Sequence, residues 1–110
     1  MPRPSVFPAA LAARTLNEPG RLSARIFNHG SLEVRWYAPH GVDPQTPHPR
    51  DEAYVVVSGE GHFHCAGVLS PCRAGDLVFA PAHAEHRFED FSEDFAVWVL
   101  FYGPEGGEAA

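Results

Sequence analysis

No apolar run in this chain is long enough to cross a bilayer. The opening residues, Met1-Pro-Arg-Pro-Ser-Val-Phe-Pro, contain no continuous apolar segment of the kind a secretory leader needs. A membrane is therefore not an expected partner, and the expected location is cytoplasmic. Cysteine is scarce: Cys65 and Cys72 are the two present. They are close enough in sequence to face each other across a hairpin, but in a reducing compartment they are expected to stay as thiols. Cations are also in short supply, eight Lys plus Arg against 14 Asp plus Glu, for a formal net charge of −6. A negative surface repels phosphate backbones, which argues against nucleic acid as a partner. The chain has no phosphate-cradling Walker loop, no dinucleotide-binding glycine pattern and no nucleophile elbow. No long amphipathic helix is visible either. What is plentiful is proline and glycine, 11 and 10 residues. They fall between short apolar runs, the texture of an all-β chain with many turns.

Residues 1–20 are rich in Pro and Ala and end in the turn signal Asn17-Glu18-Pro19-Gly20. This arm is expected to make one helical turn over Ala9 to Arg14 and to lie loosely over the domain or against a partner subunit. The domain itself takes residues 21–103. Leu22 to Phe27 reads as a strand, followed by the turn Asn28-His29-Gly30. Ser31 to Tyr37 alternates, with Leu32, Val34 and Trp36 on one face and Glu33 and Arg35 on the other, as in a half-buried antiparallel strand. Four prolines make Ala38 to Arg50 a loop or an irregular edge. Ala53 to Val57 and His62 to Cys65 are expected to pair as a hairpin across Ser58-Gly59-Glu60-Gly61. Leu77 to Ala80, Glu85 to Phe88 and Phe95 to Tyr102 are further strands. Residues 104–110 form a tail expected to fray. Short strands with Gly and Pro turns imply a sandwich or barrel.

The chemistry is concentrated in two clusters. The first is Thr46-Pro47-His48-Pro49-Arg50-Asp51-Glu52, with Gly59 after six intervening residues. The second runs from Gly75 through Pro81 to His86. Imidazole nitrogen and carboxylate oxygen suit Zn, Fe, Ni or Mn, and two His with one carboxylate leave coordination positions open. The plainer reading makes His48 and His86 polar pocket residues, with Glu52 paired to Arg50 or Arg87. Asp51 competes with Glu52 as the ligand. His62 and His64 flank Phe63, so both point outward if Phe63 faces the core. Tyr54, Phe79, Phe88, Trp98 and Tyr102 read more readily as core than as a substrate platform; Tyr54, Phe88 and Trp98 are the candidates for a pocket wall, Phe88 foremost because it lies two residues from His86 on the same strand.

Together the clusters resemble the two motifs of the cupin superfamily, over roughly residues 22 to 102. His48, Glu52 and Gly59 match the second His, the Glu and the Gly of the first motif, and Gly75, Pro81 and His86 match the second. The resemblance implies a small single-domain cupin, a double-stranded β-helix or jelly-roll barrel, with one divalent metal ion (Fe, Zn, Ni or Mn) held by His48, Glu52 and His86. Two positions depart from the pattern. Thr46 stands where the motif has its first His, and on an extended strand it would share the face of His48 and point at the metal. His83 stands where the second motif has a glycine; it is expected to be a solvated turn residue that tolerates positive φ, with a fourth ligand or an acid/base at the pocket mouth as the other readings.

The implied function is a metal-dependent enzyme acting on a small molecule, such as a dioxygenase, isomerase or lyase. The alternative is a non-catalytic small-molecule-binding or sensor module. Short antiparallel barrels expose sheet edges, and small cupins commonly pair, so a homodimer is expected.

Overall fold

The computed structural model describes residues 3–16 and 20–109, so the predicted turn at Asn17-Glu18-Pro19 lies outside the described residues. One short helix, α1 (Ala9–Arg14), precedes eight strands: β1 (Ser23–His29), β2 (Leu32–Tyr37), β3 (Asp51–Ser58), β4 (Glu60–Cys65), β5 (Val68–Arg73), β6 (Leu77–Ala80), β7 (His86–Glu89) and β8 (Ala96–Tyr102). They form a five-stranded sheet ordered β1-β2-β8-β3-β6 and a three-stranded sheet ordered β5-β4-β7. Every pairing between them is antiparallel. Tyr54, Val56, Val97 and Val99 of the larger sheet pack against Phe63 and Phe88 of the smaller one, so the core lies between the two sheets. This is the all-β jelly-roll architecture expected from the motifs.

β8 reads Ala-Val-Trp-Val-Leu-Phe-Tyr without a polar residue. It lies in the middle of the larger sheet, with β2 on one side and β3 on the other. Its inner residues Val97 and Val99 belong to the barrel core. On the outer face, Ala96 and Trp98 join Trp36 and Ala12 in a second cluster under α1. Trp36 and Trp98 meet edge-on at 5.0 Å, and Phe7 lies 5.1 Å from Phe27. The N-terminal arm thus packs on its own sheet. Covering the outer face reverses the expected sense of β2: its apolar residues Val34 and Trp36 face outward beneath the arm, while Arg35 and Tyr37 face the barrel interior.

Three other expectations are corrected. β3 and β4 do not form a hairpin. β3 pairs with β6 and β8, β4 with β5 and β7, and the chain changes sheets at Gly59. Gly59 has φ +78° there, and a Cβ would stand 2.8 Å from the Cα of Phe95. Sequence reading passed over β5 because Pro71 interrupts it, yet β5 is an edge strand, where the missing N–H of proline costs no ladder bond. The tail is held rather than frayed: Gly106 donates to the Pro49 carbonyl at 2.6 Å and Glu108 to Asp51 at 2.7 Å. Cys65 and Cys72 are free thiols, each opposite a different residue of the β4–β5 hairpin.

The sheet crossing at Gly59 yields a test. Gly59→Ala combines a left-handed backbone with a collision against the chain at Phe95, and is expected to cost about 2 kcal/mol or more in urea denaturation. A variant as stable as the parent would show that the corner relaxes freely.

Candidate metal centre

β3 carries Glu52, Tyr54 and Val56 at alternate positions, all turned inward and buried. β7 begins with His86 and carries Phe88 two residues on, and both are buried. These strands belong to opposite sheets, so Glu52 and His86 meet across the barrel. His48 comes from the irregular segment between β2 and β3. Its carbonyl accepts the His83 N–H at 2.7 Å, which ties that segment to the turn preceding β7. Its ring lies 5.2 Å edge-on from Phe101.

The three side chains converge, with one potential ligand atom from each lying within 4.8 Å of the others. Glu52 Oε1 lies 2.7 Å from His86 Nε2 and 3.7 Å from His48 Nε2. The side chains of Glu52 and His86 are 1% exposed, whereas that of His48 is 30% exposed and forms the open side. Although they are close, both carboxylate oxygens of Glu52 and Nε2 of His86 lack a hydrogen-bond partner among the described residues. The reason lies at the other ring nitrogen. His86 Nδ1 is 2.9 Å from the Ala84 carbonyl, and a carbonyl only accepts, so Nδ1 carries the proton. In a neutral ring that leaves a lone pair on Nε2 facing a carboxylate oxygen. Such a contact is repulsive unless a proton or cation stands between them. Burial draws the His86 pKa down, but the Glu52 carboxylate and the Ala84 carbonyl outweigh it and hold it above the ordinary value. The donor set therefore suits a divalent cation: one charge from Glu52, one imidazole fixed in tautomer by a backbone carbonyl, and one at the rim.

Behind this group lies a network that sequence reading missed. Asp43, buried in the Pro-rich segment, accepts from Tyr37 Oη, from the Gln45 backbone N–H, from Gln45 Nε2 at 2.6 Å and from the Phe88 N–H at 2.7 Å. The amide oxygen of Gln45 in turn accepts from Tyr54 Oη at 2.8 Å. Burial, and secondarily the Glu52 charge, pushes the Tyr54 phenol well above its ordinary pKa, so it remains a donor. Tyr54 lies beside the group, fully buried, its ring 6.2 Å from His86. Phe88 lies deeper, packed between Tyr54, Phe63 and Phe95. The aspartate and glutamine were overlooked because four prolines make their segment read as plain loop.

Three sequence candidates stand elsewhere. Trp98 faces outward against Trp36, because its neighbours Val97 and Val99 take the inner positions on β8. Thr46 is exposed in a segment that forms no strand, so the expectation that it shares the face of His48 lapses. His83 is an exposed turn residue at φ +67°, the left-handed geometry its glycine position in the motif calls for. The other readings of Glu52 also fail. Arg50 is engaged by the carbonyls of Gly103 and Ser31, and Arg87 by Glu85 and Glu89. Asp51 is buried, turned away from the group, and accepts the N–H groups of Ala82 and Glu108. Beside His48 a cavity of about 170 Å³ is lined by Ser23, Arg35, Gln45 and Phe101, among others. A larger groove, about 560 Å³, lies away from the group, around Glu60, Cys72 and Asp76.

The chain was compared with known proteins. The family model described as Cupin domain matches residues 25–102. An uncharacterized protein of Streptomyces coelicolor is 40% identical over 63 residues, which span 57% of this chain and 60% of that relative's length. Among solved structures, a cupin 2 conserved barrel domain protein from Salinispora arenicola superimposes with a TM-score of 0.69 at 18% identity, over 93% of this chain and 91% of the other. The DMSP lyase DddQ from Ruegeria pomeroyi gives 0.62 at 26% identity, over 74% of this chain and 46% of that one. No helix among the described residues is long and apolar enough to cross a membrane.

The Asp43 network can be probed directly. Asp43→Ala leaves the Tyr37 hydroxyl, the Gln45 amide and the Phe88 N–H without their acceptor, and is expected to cost roughly 3 kcal/mol in chemical denaturation. Asp43→Asn keeps an acceptor and should lose less. Equal losses in the two variants would mean that the network needs both carboxylate oxygens and gains nothing from the one acceptor that Asn keeps.

Proposed function

The chain belongs to the cupin family, and on that footing we propose that it is a metal-dependent enzyme acting on a small molecule, with His48, Glu52 and His86 as the ligands of one divalent ion. The observation that carries this reading is the buried Glu52 carboxylate lying 2.7 Å from His86 Nε2 while neither group has a hydrogen-bond partner among the described residues. A folded protein does not ordinarily leave a buried carboxylate and an imidazole lone pair facing each other, and a divalent cation between them satisfies both where a single proton would satisfy one contact. A bound ion of this kind supplies Lewis-acid polarisation of a substrate oxygen. The chain's own residues do the rest. Glu52 brings the negative charge, the Ala84 carbonyl orients His86, and the aromatic wall of Tyr54, Phe63 and Phe88 excludes water from the inner side. His48, 30% exposed, stands on the side open to solvent.

Among the reaction classes open to such a site, a lyase or isomerase step that polarises a carbonyl or enolate is favoured over oxygen chemistry. The support is the likeness to a protein described as a DMSP lyase, and it is a likeness of fold and family only. Metal analysis of untagged protein, run alongside oxygen-uptake screening, tests both levels of the reading. The untagged form matters because a His tag would bind metal itself. Near-stoichiometric divalent metal without oxygen uptake is the expected result, and uptake would move the reading to a dioxygenase. Glu52→Ala and His86→Ala should each lower metal occupancy sharply, and acidification should release the ion by protonating its ligands. Undiminished stoichiometric metal in the double variant would place the ion elsewhere. Ligand binding by a protein that holds no metal would favour a sensor module.

A further inference from the structure

The cations of this chain are eight arginines, and Arg35 is the one that lines the cavity beside His48. Its position follows from the inward turn of β2. Arg35 faces Val99 on β8, which faces Tyr54 on β3, while the adjacent row runs Glu33, Phe101, Glu52. Arg35 and Glu52 therefore share the inner face of one sheet, about 10 Å apart across two strand spacings and about 7 Å apart along the strands. The guanidinium is held by two contacts, Nε to Ser23 Oγ at 2.9 Å and Nη1 to Glu33 Oε2 at 3.1 Å. For Nη2 the described residues supply no acceptor. Among the described residues no carboxylate lines the cavity itself. Asp43 stands behind Tyr37 and Gln45, with its own donors already engaged. The lining is a positioned guanidinium with Ser23 at one side, an imidazole at the other, and Tyr37, Gln45, Val99 and Phe101 between.

We propose that Arg35 anchors the carboxylate of the molecule this site accepts, which makes the ligand a small organic acid. The metal end of the argument rests on the function proposed above, whereas the arginine end stands on the cavity alone. A guanidinium with a free edge is matched in shape and charge to a carboxylate, and a divalent ion bearing one glutamate leaves further positive charge at the opposite end. A cavity of about 170 Å³ holds the liquid volume of about five or six waters, room for an acid of up to about five carbons. A hydroxyl or carbonyl oxygen next to the carboxylate is the atom that would turn toward His48. The pair with Glu33 is a partly exposed one, 30% and 27% for the two side chains, and such pairs are weak enough to yield an edge to an incoming acid.

The test is calorimetric titration of glycolate, and of neutral glycolamide as its control, into metal-loaded wild type, Arg35→Met, Arg35→Lys and Glu33→Gln, with metal content measured for each. Glycolate is expected to bind Arg35→Met at least about tenfold more weakly than wild type at unchanged metal content. Arg35→Lys should fall between, because it keeps the charge but loses the fork, and Glu33→Gln should bind more tightly because it frees the second edge. Glycolamide should not distinguish wild type from Arg35→Met. The proposal is overturned if wild type fails to bind glycolate, if Arg35→Met binds it equally well, or if glycolamide loses as much as glycolate. Failure of the metal reading shows separately, as wild type that takes up no ion. In that case propionate, which lacks a chelating hydroxyl, is titrated into the metal-free protein: dependence on Arg35 supports the anchor and independence overturns it.

Discussion

The buried Glu52 carboxylate set against His86 is the constraint around which this molecule is arranged. Glu52 comes from the larger sheet and His86 from the smaller, so the two layers of the barrel meet at their polar end through a contact that is repulsive unless a proton or a cation stands in it. Much of the nearby structure serves to hold that contact in place. The Ala84 carbonyl fixes one imidazole, the His83 N–H fixes the loop that carries the other, and Asp51 pins the Ala82 turn from the residue next to Glu52. The aromatic cluster beneath it is tightly paired, with ring centroids near 5 Å for Phe88 against Tyr54, Phe63 and Phe95. The buried carboxylate is therefore backed by rings on its inner side and opens only toward His48.

The second organising fact is that the larger sheet is covered on both faces around β2 and β8. α1 and the arm before it lie over Trp36, Ala96 and Trp98, so β2 can turn its apolar residues outward without exposing them and its polar residues inward. The sheet consequently has two chemically different faces. Beneath α1 it presents Trp36, Ala96 and Trp98. Toward the smaller sheet it presents Arg35, Tyr37 and Glu52. An outer cover on a sheet thus becomes a means of placing polar groups inside a barrel.

The parts of this arrangement that could be read from the sequence were those set by spacing. His48, Glu52 and His86 come together where the two motifs placed them, and Gly59 and His83 adopt the left-handed conformations their motif positions demand. What escaped was set by tertiary cover and by backbone partners. The alternation of β2 was read correctly as a period, but period alone does not say which face is inside. The clue was β8, apolar at every position, as a strand buried on both faces is. Asp43 and Gln45 lie among prolines, and no pattern marks a loop whose side chains fold back into the core. Thr46 was judged as a strand residue, and the absence of a strand there removed the basis for its orientation. β5 was masked by Pro71, which an edge strand accommodates.

The position of β8 has a consequence for the order in which the molecule can be made. It is the last strand in sequence and yet the central member of the larger sheet, wedged between β2 and β3. On a ribosome the smaller sheet, β5-β4-β7, can assemble from chain already synthesised. The larger one cannot close until residues 96–102 clear the exit tunnel, and β2 and β3 must wait with their facing edges unpaired. Glu52 is on one of those waiting strands, so the polar end of the barrel closes only after synthesis of its last strand. Nascent chains that stall before that point present open sheet edges, the form most prone to associate with other chains and to be engaged by chaperones.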